Sequence, residues 1–282
     1  MGLEWVTEPF QYGFMVRAFL GTSLIAVLAA MIGVFIVLKG LAFIGDAIAH
    51  VSFAGIALAL LLGWPLHLGA FLLASVTAIG ITLLNRAAKV RHDTALAILF
   101  TGAFAVGVII MARMPSFGGD LSALLLGSVL GIRSQELWLI GGAVVVLGFM
   151  LWLAYHHLVY VAFDPVGAEA AGLPVLGLNI LLMLMLSTAV VVSIQSVGVI
   201  LVMALLITPA AAAGIFTRNL VKMMILAGAL GIAATWVGLY LAFYYSLPPG
   251  ATIVIMTTVE FAAALGVREV KRKLAASLRT PA

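Results

Sequence analysis

The sequence has 282 residues, of which 65% are hydrophobic and 9% charged, with a net charge of +4. A soluble domain carries about 25% charged residues, so this chain cannot cover a water-facing surface of its size, and a mean hydropathy of +1.29 makes hydrocarbon its natural solvent. The absence of cysteine excludes disulfides, thiolate metal sites and cysteine nucleophiles, and basic residues confined to short loops between apolar blocks argue against nucleic-acid binding.

The opening stretch, MGLEWVTEPFQYG, carries Glu4 and Glu8 and no basic cluster, so no cleavable signal peptide is expected there. Nine apolar blocks follow, at about 14–38, 41–62, 66–84, 94–112, 136–157, 174–194, 197–216, 221–246 and 251–267. Each approaches the roughly 17–25 residues that a spanning helix needs. The expectation is an all-α polytopic membrane protein, with residues 1–282 forming a single transmembrane domain of about nine spans, eight to ten being possible.

The second block contains GDAIAHVSFAG, residues 45–55. Asp46 and His50 are four apart, which puts them on one helical face a single turn from each other. A carboxylate and an imidazole so placed form half of a site for zinc, manganese or iron. They equally suit a buried hydrogen bond that locks helices together, and the spacing leaves both readings open. Ser52 adds a small polar group nearby.

His67 and His92 fall in predicted loops as solvated side chains, and His67, if external, could receive a metal. Gly102 and Gly107 have the glycine spacing of a phosphate loop, but Val108 and Ile109 stand where the lysine and hydroxyl should be. The chain therefore has no nucleotide-binding motif, and ATP hydrolysis would need a partner. The apolar stretch Leu121 to Ile132, after the turn Phe117-Gly118-Gly119, is too short to cross and reads as a re-entrant or interfacial helix. His156 and His157 point about 100° apart on a helix and do not share one ion easily.

The loop after the fifth block predicts a short helix across one membrane face. Asp164 can cap it, Pro165 suits its first position, Ala168 to Ala171 favour helix, Gly172 can end it, and Pro174 can open the next span. Polar residues then gather in the sixth and seventh blocks: Ser187, Thr188, Ser193, Gln195, Ser196 and Thr208, with Pro209 expected to kink the seventh. Ser52, Ser193, Gln195 and Pro209 are candidates to line a pathway, and ordinary helix packing is the competing reading. Glu260, in the last block, reads first as a helix-packing carboxylate and second as a pathway group.

Alternate loops hold Lys39; Arg86, Lys89 and Arg91; Arg218 and Lys222; and a tail with Arg268, Lys271, Arg272, Lys273 and Arg279, all but three of the 14 basic residues. The positive-inside rule puts that tail in the cytoplasm and, with nine spans, the N-terminus outside.

Four segments resemble the permease family of zinc and manganese ABC importers: LKGLAFIGDAIAHVSFAGIALA (38–59), AFDPVGAEAAGLPV (162–175), VGVILVMALLITPAAAA (197–213) and SLPPGATIVI (246–255). They stand in the family's order over nearly the whole chain. The resemblance implies a multi-pass permease of a prokaryotic cytoplasmic membrane, working as a homodimer. It implies two ATPase subunits docked on the cytoplasmic side and a metal-binding solute receptor outside. No cofactor is implied beyond the transported divalent ion, zinc or manganese. Asp46 and His50 match the positions that bind the passing metal, and Phe163, Asp164, Pro165, Ala168, Glu169 and Gly172 match the coupling helix that fits the ATPase. Val166 departs from the family, which has an acidic residue there, and Gly40 stands where a second basic residue is common. Two other classes stay open: an ion-coupled secondary transporter, and an intramembrane metalloenzyme, which would need a third ligand and a base.

Overall fold

The computed structural model describes residues 7–88, 92–113 and 127–277. Among the described residues there are ten α-helices, nine of them long and apolar enough to cross a membrane. The spanning helices are α1 (Gly13–Leu38), α2 (Ile44–Leu62), α3 (Leu66–Ala88), α4 (His92–Ala112), α5 (Ser134–Phe163), α7 (Val175–Val197), α8 (Val199–Phe216), α9 (Leu220–Tyr245) and α10 (Pro249–Ser277). The short helix is α6 (Pro165–Ala170). Each span satisfies its backbone groups within itself, the condition for crossing lipid.

All nine apolar blocks became helices, and the differences lie at their ends. Helix α5 continues to Phe163, and α10 runs beyond its apolar part to Ser277, where Glu269 and Arg272 pair at 2.7 Å. The extension of α10 is polar and helix-favouring, which hydropathy alone does not register, whereas that of α5 is the apolar run Leu158 to Phe163. His67 and His92, expected in loops, are the second residue of α3 and the first of α4. The first half of the predicted interfacial helix, 121–126, lies outside the described residues; in its second half the chain forms only a 3-10 turn at Val129–Gly131.

Turn chemistry explains the corners. Helix α2 stops at Gly63, which takes a φ of +67°, a conformation that glycine adopts without a Cβ clash. Glu136 caps α5 by accepting from the Arg133 N–H at 3.2 Å, and Asn219 caps α9 by accepting from the Lys222 N–H at 3.1 Å.

Helices α1 and α2 form the interior: 67% and 72% of their spanning residues are buried, against 22% in α4 and in α10. Helix α1 packs against α5, α7, α8 and α9, with its Gly33 set against the Leu206 carbonyl of α8. Helix α2 packs against α3, α4, α7 and α8. Gly55 of α2 faces Gly69 of α3 so closely that a Cβ on either would meet the other's carbonyl oxygen. A Cβ on Gly107 of α4 would stand 2.6 Å from Ala54 Cα, also on α2. Small residues permit this backbone-to-backbone approach.

Candidate metal site

Helix α2 is buried continuously from Ile44 to Ala57, with two exceptions: Asp46 and His50. Their side chains are 45% and 25% exposed. The interruption has a geometric cause. Phe53, Ala54 and Ala57, on the same face one and two turns further along, are covered by α4 through Phe104, Gly107 and Met111. The covering thins toward the start of α2. There the rings of Phe100 and Phe104 reach His50, both edge-on, at 5.2 and 5.7 Å between centroids.

The two polar groups hold each other in a defined arrangement. His50 Nδ1 lies 2.9 Å from the Asp46 backbone carbonyl and 3.4 Å from Asp46 Oδ1. Both neighbours are acceptors, so Nδ1 carries the proton and donates. In the neutral ring this leaves the Nε2 lone pair free, the form in which histidine binds a metal. The carboxylate keeps its own lone pairs. One chain thus offers an imidazole nitrogen and carboxylate oxygens, a set suited to a divalent first-row ion. Among the described residues no group of three or more histidine, cysteine or acidic side chains forms a closed metal cage.

The other predicted pathway residues lie elsewhere. The Ser52 hydroxyl is buried and donates to the Ile48 carbonyl at 2.7 Å, within its own helix. Ser193 is buried on α7. Gln195, also on α7, is half-buried, and its Nε2 has no hydrogen-bond partner among the described residues. Pro209 is buried in α8, which stays helical through it, and packs toward Gly231 of α9. Glu260 is half-buried on α10, its Oε2 making no hydrogen bond among the described residues, on a helix that packs against α8 and α9 rather than α2. His156 and His157 are exposed on α5.

The short helix α6 forms as its residues dictate. Asp164 Oδ1 accepts from the Gly167 N–H at 2.8 Å, Pro165 takes the first position, and Gly172 closes the end at φ +81°. Ala168 is fully buried beneath it. Phe163 and Val166 are 61% and 78% exposed, an apolar surface beside a capped helix. Glu169 reaches across to α3 and pairs with Arg86 at 3.1 Å. Sequence reasoning missed that ion pair and the two phenylalanines beside His50. The spacing of Phe100 and Phe104 shows that they share a face, but not which helix that face meets.

Comparison with known proteins follows this geometry. The sequence model described as the ABC 3 transport family matches residues 11–268. The chain is 36% identical over 257 residues to the manganese transport system membrane protein MntC of Halalkalibacterium halodurans, covering 91% of this chain and 88% of that protein. It is 34% identical over 270 residues to the manganese import system permease protein ScaB of Streptococcus parasanguinis, covering 96% of each. The solved structure of PsaBC from Streptococcus pneumoniae in complex with Fab superposes with a TM-score of 0.82 at 30% identity, covering 94% of this chain and 95% of that one.

Proposed function

The chain belongs to the ABC 3 transport family, and on that premise we propose that it carries divalent metal ions inward through a pathway gated by Asp46 and His50. As a member of an ABC permease family it is a transport component, and ATP hydrolysis belongs to a separate subunit. Manganese is the ion named for its relatives MntC and ScaB, and the nitrogen and oxygen donors of the pair suit manganese and zinc alike.

One observation carries the reading: in a helix otherwise sealed from Ile44 to Ala57, the two residues left open are an acid and an imidazole. An aspartate turned toward hydrocarbon costs about 2.5–3.5 kcal/mol on insertion scales. That penalty is avoided if a second copy of the chain covers the face and the two half-sites enclose a passage. Two ligands per copy then make a site that replaces part of the ion's hydration shell without holding it too long.

The working cycle follows from the two ends of the molecule. Positive-inside logic puts the basic loops, α6 and the end of α10 in the cytoplasm. A receptor outside delivers the ion; the ATPases inside grip Phe163 and Val166 on α6; and ATP binding shifts α6 and switches access. The test is uptake of radiolabelled manganese and zinc into vesicles containing the reconstituted complex. ATP-dependent, mutually competing uptake supports the importer. Uptake that survives ATP depletion while the membrane potential is held would overturn it in favour of a secondary transporter.

A further inference from the structure

A second polar site, sharing no lining residue with the Asp46–His50 pair, lies where α1 leads into α2. A cavity of about 430 Å³ opens where the C-terminal ends of α1, α3 and α5 meet α6 and the start of α7. That size falls within the roughly 300–1,000 Å³ of small-molecule sites. Its polar lining is Lys39, Thr82, Asn85, Arg86, Glu169 and Asn179, and the rest is mostly aliphatic side chain.

The charges in it do not cancel. Arg86 is paired with Glu169, while Lys39 Nζ has no hydrogen-bond or ion-pair partner among the described residues. One positive charge is left over in a half-buried setting, where burial pushes the Lys39 ammonium below its ordinary pKa. The carbonyls that end α1 do not neutralise it, since the N–H groups of Lys39, Gly40 and Leu41 already occupy them.

We propose that this cavity binds a singly charged phosphodiester, the headgroup phosphate of an anionic phospholipid or a free phosphate of the same charge, between Lys39 and Arg86. A guanidinium fork and an ammonium are the two side chains best suited to phosphate oxygens, and the Asn179 amide adds a neutral donor. The setting suits a lipid: basic pockets between spanning helices at the membrane boundary take anionic headgroups, and Leu83 and Leu84 of α3 lie exposed beside it for acyl chains. The Arg86–Glu169 pair is exposed on both sides, and pairs of that kind are worth about 0–1 kcal/mol, so a phosphate can compete for Arg86. Binding would then untie α6 from α3.

The experiment uses the full chain in nanodiscs of phosphatidylcholine with a minor fraction of phosphatidylglycerol, with retained lipid counted by native mass spectrometry. The wild type is expected to retain phosphatidylglycerol in preference to phosphatidylcholine. Lys39→Ala and Arg86→Ala should each weaken retention about tenfold, the scale of one charge-assisted contact. Lys39→Arg should keep it, which separates lost charge from lost packing, and Glu169→Gln should strengthen it. Inorganic phosphate added at millimolar concentration identifies the source: displacement of the lipid means that a soluble phosphate suffices, and no displacement means that the acyl chains are required. Equal retention of the two lipids by the wild type, or an undiminished preference in Lys39→Ala together with Arg86→Ala, overturns the proposal.

Discussion

His50 Nδ1 donates to the backbone carbonyl of Asp46 at 2.9 Å, which fixes the imidazole by its own helix and turns Nε2 away from it. The ring needs no other protein group to choose its tautomer. Replacing either member should therefore remove a proposed ligand without unfolding α2. For Asp46→Ala and His50→Ala, metal uptake is expected to fall at least ~10-fold, the lower range for disturbing a metal site, while ATPase co-purification stays normal. Normal manganese and zinc uptake in both variants would remove the pair from the pathway.

The phenylalanines beside His50 orient it from outside, at 5.2 and 5.7 Å between ring centroids. Phe104→Ala takes away one of those edges and also a contact with Phe53. Metal affinity, read by competition in the uptake assay, should weaken by about 10–100-fold, the usual effect of disturbing a group that positions a ligand. Maximal ATPase activity should hold, since the variant is remote from α6.

Gly55 and Gly69 leave no room between α2 and α3. A Cβ on Gly55 would meet the Gly69 carbonyl and stand 2.8 Å from Ala70 Cα. Overpacking of this kind costs about 1–3 kcal/mol. Gly55→Val should lower the thermal midpoint in detergent, whereas Gly141→Ala, on α5 where nothing lies within 4 Å of the added carbon, should leave it unmoved. Equal midpoints for the two variants would contradict the close approach.

Asp164 caps α6 through a 2.8 Å bond from the Gly167 N–H. Asp164→Ala should cost about 1 kcal/mol of local stability, and Asp164→Asn or Asp164→Ser should restore most of it. The readout is ATPase affinity for the reconstituted permease, which drops for alanine and recovers for the capping residues. Metal binding to the permease itself should be unaffected, because the only bond the substitution removes among the described residues is the cap from the Gly167 N–H, and the Asp46–His50 contact lies within α2.

The spans were legible because lipid rewards long apolar runs and nothing else in the chain imitates them. The Asp46–His50 pair was legible for a local reason, since residues four apart on a helix must be neighbours. The cap and stop of α6 were readable in the same way from Asp164, Pro165 and Gly172. What escaped is tertiary. Glu169 and Arg86 stand 83 residues apart, and no local pattern joins them. Nor does the sequence say that α4 covers α2 at Ala54 and leaves it open at His50. The extension of α10 to Ser277 was hidden because a charged helix leaving the membrane has no hydropathy signal.

The two glycine contacts on α2 also carry a mechanical message. Side chains between helices act as a cushion that lets one slide past the next, and here the cushion is absent at Gly55 against Gly69 and at Ala54 against Gly107. Helices α2, α3 and α4 must then travel as a single plate, carrying Asp46 and His50 like fittings bolted to it. If the proposed passage runs beside Asp46 and His50, opening and closing it would tilt that plate as a whole, with the hinges at its edges.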